Sequence, residues 1–133
     1  MKIVVGYIPT PEGQAALRHA TDLARKEEAL LIVINSSRGE APADPRIVGE
    51  EELATAEEHL REAGVEHLLL QPVRGRSAAD EVLGAAQEHR ADLIVIGLRR
   101  RTPVGKLLLG SNSQRILLEA DCPVLAVKHG EPA

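Results

Sequence analysis

Residues 97–111, GLRRRTPVGKLLLGS, combine residue types that bind phosphate in many α/β proteins. The stretch has three glycines, four cations and no acid, in a chain whose formal net charge is −4. It follows the apolar run DLIVIG and precedes the helix-like run SNSQRILLEA. A helix that begins after such a loop presents unpaired backbone N–H groups, and its dipole favours an anion. The spacing predicts either a phosphate site or a tight turn with solvated arginines, and by itself favours neither.

The chemistry that this stretch offers is the binding of an anion. Gly97 and Gly110 would let the backbone approach a phosphate, and Ser111 would add a hydroxyl donor. Positive charge would come from four side chains: Arg99, Arg100, Arg101 and Lys106. The segment GKLLLGS has the G-x4-G spacing of a Walker A loop but lacks the lysine after its second glycine. The G-x-G-x-x-G dinucleotide motif is absent as well, because the first strand is followed by GYIPT.

Apolar runs alternate with amphipathic stretches along the whole chain. Strands are predicted at 2–8, 29–35, 65–71, 92–97 and 122–128, and helices at 10–28, 46–64, 77–90 and near 111–120. Helices between successive strands imply an open, five-stranded parallel sheet with helices on both faces. The length of 133 residues predicts one domain, residues 1–133.

Local signals mark several helix ends, and the topology places the ligand edge. Thr10 is expected to cap the first helix with Pro11 at its first position, and Ser77 to cap the third. Gly64 suits the end of the second helix. Ligands of such sheets bind beyond the carboxyl ends of the strands, so the loops after the first and fourth strands are expected to meet.

Composition excludes several classes of protein. The chain has no Trp or Phe and one Tyr, which argues against a base-stacking nucleic-acid platform, and its acidic balance argues against DNA binding. No apolar run is long enough to span a bilayer, and no signal peptide is expected. The single cysteine, Cys122, allows no intrachain disulfide, so the expected compartment is a reducing cytoplasm.

The sequence carries no pattern of catalytic or metal-binding residues. The five histidines have no ligand-like spacing, and no nucleophile–base pair or Mg²⁺-binding acid lies near the loop. A reactive thiol needs a nearby base or cation, and none accompanies Cys122, which predicts a structural cysteine. We expect no catalytic or metal residues and, at most, a slow ATPase.

Residues 91–128 resemble the C-terminal half of a universal stress protein, and the resemblance runs through the whole chain. The family pattern G-x2-G-x9-G-[S/T], followed by a helix and a Cys-Pro-Val strand, is matched by Gly97, Gly110, Ser111 and the run CPVLAVK. The start of the chain, KIVVGY, is similar to the family's first strand. The resemblance implies a Rossmann-like fold of the adenine nucleotide α-hydrolase type, with strand order 3-2-1-4-5. It also implies a cytoplasmic stress-response homodimer.

The family's cofactor is an adenine nucleotide, so the resemblance implies ATP or AMP, with the need for Mg²⁺ left open. The alternative is a structural or interaction dimer of the same fold without a nucleotide. The backbone at 9–10 and 35–36 would hold the adenine. The candidate nucleotide-binding residues are Ile8, Pro9, Thr10, Ser36, Gly97, Arg100, Gly105, Gly110, Ser111 and Asn112.

Two residues depart from the family pattern. Ile8 stands where ATP-binding members carry an Asp that lies against the adenosine, and its side chain cannot accept a hydrogen bond. Arg100 stands at the family's second glycine, where a positive φ would be costly for arginine. Arg100 is therefore either a clamp on the phosphate or a plug of the loop, and Arg100→Gly would weaken binding in the first case and strengthen it in the second.

The last strand is expected to form the dimer contact. It is short and apolar and lies at the sheet edge in this strand order, where an uncovered edge is usually covered or paired. In the family this strand pairs across a two-fold axis. The predicted interface residues are Val124, Leu125, Ala126 and Val127.

Overall fold

The structure, a computed structural model, describes residues 1–8, 10–35, 50–72, 76–101, 106–107 and 110–129. At residues 50, 100, 101, 106 and 107 it describes the backbone alone. Three candidate nucleotide-binding residues, Pro9, Ser36 and Gly105, lie outside the described residues, and so does the side chain of Arg100.

The described residues form six strands and four helices. The strands are β1 (Lys2–Gly6), β2 (Leu30–Ile34), β3 (His67–Leu70), β4 (Leu93–Arg101), β5 (Lys106–Leu107) and β6 (Val124–His129). The helices are α1 (Pro11–Glu27), α2 (Glu50–Glu62), α3 (Ala78–His89) and α4 (Ser111–Glu119). No helix among these described ranges has the length and apolar character that crossing a membrane requires.

Five strands form one parallel sheet in the order β3-β2-β1-β4-β6. If the short β5 is left out and β6 is counted as the fifth strand, this order is the expected 3-2-1-4-5. At the centre of the sheet, Val4 pairs with Ile32 on one side and Ile94 on the other. The central strands are apolar on both faces because both faces are covered.

Each face of the sheet carries two helices and a hydrophobic core, as the β–α alternation predicts. On one face, Ala16, Ala20 and Ala24 of α1 and Leu60 of α2 pack against β1 and β2. The opposite face packs against α3 and α4, and its buried residues include Val4, Ile32, Ile94, Val82 and Ile116. Burying each aliphatic side chain contributes about 1.5–3 kcal/mol, so the core needs no large aromatic residues.

The fourth strand is longer than predicted. It was expected to end at Gly97, with a loop from there to residue 111, but β4 continues to Arg101. Its end pairs with the antiparallel β5, with Arg100 opposite Leu107. This pairing lies beyond Arg99, the last residue of β4 that pairs with β6 in the parallel sheet. A run of arginines can therefore be extended without the apolar pattern that predicts a strand.

The predicted helix caps are confirmed. The Thr10 hydroxyl accepts a hydrogen bond from the Gly13 N–H at 3.1 Å, and the Ser77 hydroxyl accepts one from the Asp80 N–H at 3.1 Å. Gly64 follows α2 with φ of +71°, the left-handed conformation that glycine adopts at little cost.

Glu28, which follows α1, has a left-handed backbone with φ of 53°, so Glu28→Gly is expected to stabilise the protein. Glycine removes the strain of the left-handed conformation but gives the unfolded chain more entropy. The net gain in unfolding free energy is about 0.5–1 kcal/mol. Urea unfolding measures the change. Glu27→Gly, one residue earlier and inside the helix, is the control and should cost about 1 kcal/mol. A Glu28→Gly variant less stable than the wild type would contradict this account of the helix end.

Candidate functional site

The candidate site lies where the strand order of the sheet reverses. From β1 the chain proceeds through α1 to β2 on one side, whereas β4 lies on the other side of β1. The carboxyl ends of β1 and β4 and the first turns of α1 and α4 are therefore on the same edge. Ligands of doubly wound sheets bind at this kind of position.

The end of β1 turns tightly into α1. The Thr10 N–H donates to the Ile8 carbonyl at 2.8 Å, while the Thr10 hydroxyl caps the helix. A Cβ added to Gly13 would lie 2.0 Å from the Ile8 carbonyl oxygen, so the helix start and this carbonyl are in close contact. The turn fixes Ile8 at the edge of the sheet, where the side chain is half-buried and offers no polar atom.

Gly97 lies against the first turn of α1. A Cβ added to Gly97 would lie 2.1 Å from the Glu12 carbonyl oxygen and 2.6 Å from the Glu12 carbonyl carbon. The helix therefore occupies the space that any other residue at position 97 would need. This contact gives Gly97 a role in packing, whether or not a ligand also lies near it.

Glu12 is a polar residue of this edge that the sequence interpretation missed. Its Oε1 atom is buried and accepts no hydrogen bond from the residues described. Glu12 lies in the first turn of α1, beside Gly97 of β4. Its only sequence signal was an acid in the first turn of a helix, which usually reflects the helix dipole alone.

The first turn of α4 has the features of an anion site. Gly110 is the N-cap, no side chain among the described residues caps the helix, and its first turn, which begins at Ser111, contains no acid. Ser111 is exposed, and a Cβ added to Gly110 would meet no atom of the described residues within 4 Å. The Gln114 N–H donates to the Gly110 carbonyl at 3.0 Å, so the earlier N–H groups of the turn are those that a helix leaves unpaired.

Asn112 and Arg115 hold α4 against α3. The Asn112 Oδ1 atom accepts a hydrogen bond from the Ala79 N–H at 3.0 Å, so this oxygen is engaged within the protein. Arg115 lies 3.0 Å from the Asp80 carboxylate and 3.3 Å from the Ser77 hydroxyl. Hydrogen bonds from Arg115 and Ser77 lower the pKa of Asp80. These contacts fix the position of the α4 N-terminus at the edge.

Asn35 joins the ends of three strands. Its side chain is buried, donates to the Tyr7 carbonyl at 2.7 Å and accepts from the Gln71 side chain at 2.8 Å. The Asn35 N–H donates to the Leu70 carbonyl at 3.0 Å. The backbone after β2, which was expected to hold an adenine, is thus anchored to its neighbours by a polar network.

Arg100 corrects one expectation about the loop. It lies in the extended backbone of β4, opposite Leu107. Within the described ranges, the non-glycine residues with positive φ are Glu28 and Arg90. The expected cost of a positive φ at Arg100 is therefore wrong, because extended backbone suits arginine as well as glycine. The plug interpretation then depends on the arginine side chain and not on its backbone.

Cys122 is expected to react slowly with alkylating reagents. Burial, followed by the carboxylates of Asp121 and Asp92, raises the pKa of the thiol. A raised pKa means that the thiolate forms only above the usual pH range of a cysteine, and the thiolate is the nucleophile. The control is Leu118→Cys in a Cys122→Ser background, because position 118 is 75% exposed. Mass spectrometry should show that iodoacetamide labels Cys122 more slowly than this control cysteine at neutral pH. Equal rates would contradict this assignment.

The predicted interface strand β6 lies at the edge of the sheet. Among the described residues it pairs with β4 alone. Val124, Leu125, Ala126 and Val127 are half-buried and pack alternately against the two cores. The second edge of the sheet is β3, where Leu68 is 39% exposed.

The fold and the edge together define a doubly wound α/β domain with a candidate anion site at the switch point. The model of the universal stress protein family matches residues 1–128. A universal stress protein of Mycolicibacterium smegmatis is 48% identical over 129 residues, which cover 96% of this chain and 98% of the relative.

Solved structures agree. A universal stress protein from Archaeoglobus fulgidus is 33% identical with a TM-score of 0.79, covering 96% of this chain and 98% of that one. The universal stress protein from Archaeoglobus fulgidus in complex with dAMP is 28% identical with a TM-score of 0.74 and the same coverage. The chain belongs to the universal stress protein family.

Proposed function

We propose that this chain is a stress-response regulatory protein of the cytoplasm that binds an adenine nucleotide, AMP or ATP, at the edge formed by β1, β4 and α4. The observation that carries the proposal is the first turn of α4, which contains no acid and receives no side-chain cap from the described residues. The related protein that binds dAMP supports the choice of an adenine nucleotide. Binding would report the nucleotide state of the cell, without a chemical step.

The phosphate of the nucleotide would lie at the N-terminus of α4. Backbone N–H groups of this turn and the Ser111 hydroxyl would donate to the phosphate oxygens, and the helix dipole would favour the negative charge. Asn112 and Arg115 would act indirectly, by fixing α4 against α3. The cations of the hairpin formed by the end of β4 and β5 would add charge.

The ribose would lie closer to α1. Ile8 offers no acceptor there, but Glu12 has a carboxylate oxygen that accepts no hydrogen bond among the described residues. We assign to Glu12 the role of accepting a hydrogen bond from a ribose hydroxyl. A hydrogen bond to a charged acceptor contributes about 1.5–3 kcal/mol, or roughly tenfold to hundredfold in affinity.

Calorimetric titration with AMP and with its dideoxyribose analogue tests the assignment of Glu12. The wild type should bind AMP about tenfold or more tightly than the analogue, and Glu12→Gln should reduce that difference. Glu58→Gln, at an exposed position of α2, is the control and should keep the difference. If Glu12→Gln keeps the full preference for AMP over the analogue, Glu12 does not contact the ribose, although the phosphate site is not contradicted.

We also propose that β6 pairs with β6 of a second copy. Its open edge and half-buried apolar residues support this contact. Light scattering should give the mass of a dimer for the wild type and a monomer for Val124→Lys. Leu68→Lys, on the opposite edge strand β3, should remain a dimer. A monomeric wild type, or a dimer lost only in Leu68→Lys, would contradict pairing through β6.

A further inference from the structure

A cavity lies at the ends of β2 and β3, apart from the candidate nucleotide site at β1, β4 and α4. Its volume is about 310 Å³, within the range of small-molecule sites. The ends of β2 and β3 and one side of α3 line it. Its apolar wall contains Ile34, Leu70 and Ala85, and its polar residues are Gln71, Arg76, Glu81 and the exposed Glu88.

Glu81 is a buried acid in the wall of this cavity. The residue is 6% exposed, and its Oε1 atom accepts no hydrogen bond from any residue that the structure describes. The Arg76 Nε atom lies 3.7 Å from this oxygen, which is an ion-pair distance and too long for a hydrogen bond. A buried carboxylate oxygen without a donor is costly, so the site favours a ligand that supplies one.

Arg76 supplies the opposite charge at the mouth of the cavity. Its side chain is 46% exposed, and its Nη2 atom donates a hydrogen bond to the Asp80 carbonyl at 3.1 Å. Gly84 leaves room for the guanidinium, because a Cβ added there would lie 3.4 Å from Nη2. The guanidinium can therefore turn towards a ligand anion while a ligand cation takes its place beside Glu81.

We propose that this cavity binds an α-amino acid with a short apolar side chain, as a second ligand site of the protein. The ammonium group of the amino acid donates to the Glu81 carboxylate, and its carboxylate group accepts from Arg76. The apolar side chain packs against Ile34 and Leu70. The lining contains one cation, Arg76, and two acids, of which Glu81 is buried and Glu88 is exposed to solvent. The buried acid and the arginine beside an apolar wall match a zwitterion, whereas an amine alone would leave Arg76, and a carboxylic acid alone would leave Glu81, without an opposite charge from the ligand.

Thermal unfolding and calorimetric titration with L-leucine test the proposal. Leucine should raise the unfolding temperature of the wild type and bind with saturable heat. The two truncated compounds, 3-methylbutylamine and 4-methylpentanoate, should bind about tenfold or more weakly, because each lacks one charged partner. Absence of a leucine effect, or equal binding of either truncated compound, would overturn the assignment.

Variants locate the site. Glu81→Gln and Arg76→Gln should each weaken leucine binding about tenfold or more, whereas Glu58→Gln on the exposed face of α2 should not. Gly84→Leu fills the cavity from a helix position where glycine is unfavourable, so it should fold and lose binding. If Gly84→Leu folds and still binds leucine, the ligand does not bind in this cavity. Loss of leucine binding at saturating AMP would make the cavity part of the nucleotide site and overturn the second site.

Discussion

Gly97→Ala is expected to destabilise the protein by about 3 kcal/mol. The added Cβ would lie 2.1 Å from the Glu12 carbonyl oxygen, and this contact involves helix backbone that no side-chain rotation can relieve. Either α1 or β4 must shift, and both are central to the fold. Urea unfolding of the purified variant, followed by circular dichroism, measures the loss.

Gly110→Ala is the matched control at the third glycine of the family pattern. Gly110 has φ of −66°, and within the part of the chain that the structure describes an added Cβ would meet nothing within 4 Å. We expect a loss in unfolding free energy of no more than about 1 kcal/mol, because alanine is a poorer N-cap than glycine. A stable Gly97→Ala variant would mean that β4 and α1 are not in the contact described, and that Gly97 is a glycine for another reason.

Asn35→Asp is expected to destabilise the protein by about 3 kcal/mol or more at neutral pH. The substitution keeps the shape of the side chain and its hydrogen bond from Gln71. It replaces the amide donor 2.7 Å from the Tyr7 carbonyl by a carboxylate oxygen, which puts a buried charge against another acceptor. The ends of β1, β2 and β3 lose the donor that joins them.

The stability lost in Asn35→Asp should become smaller as the pH falls. The buried site disfavours the charged form, so the folded-state pKa of the new carboxyl group lies above its unfolded value. The destabilisation is therefore present above the folded-state pKa and fades as the pH falls towards the unfolded value, where a protonated carboxyl group can again donate. Unfolding curves at neutral and mildly acidic pH, each compared with the wild type, measure this. If the difference in unfolding free energy between the wild type and Asn35→Asp does not become smaller in acid, the hydrogen bond from Asn35 to Tyr7 is contradicted.

The sequence predicted the main elements of the fold because apolar periodicity follows directly from burial. Runs such as ALLIVIN are buried on both faces, and Thr10 and Ser77 cap their helices through local contacts. The strand order came from the family resemblance. The extension of β4 to Arg101 could not be predicted, because pairing with β5 beyond the core leaves no apolar pattern.

The candidate site was less accessible to sequence reasoning. The edge itself follows from topology, and Gly110 and Ser111 lie at the start of a helix as their spacing predicts. The roles of Glu12 and Asn112 depend on contacts with Gly97 and Ala79, which are distant in sequence. A pattern of residue types identifies a loop that can bind phosphate, but not the side chains that tertiary packing brings beside it.

The central claim is that the N-terminus of α4 binds the phosphate of an adenine nucleotide, and Ser111→Asp tests it most directly. A carboxylate in the first turn suits the helix dipole, so the variant should fold at least as well as the wild type, while the carboxylate repels phosphate. Calorimetric titration with AMP should give saturable binding to the wild type and to Gln87→Glu, a control with the same charge change at an exposed position of α3. Ser111→Asp should bind about tenfold or more weakly. Absence of binding to the folded wild type, or equal affinity in Ser111→Asp, would contradict the claim.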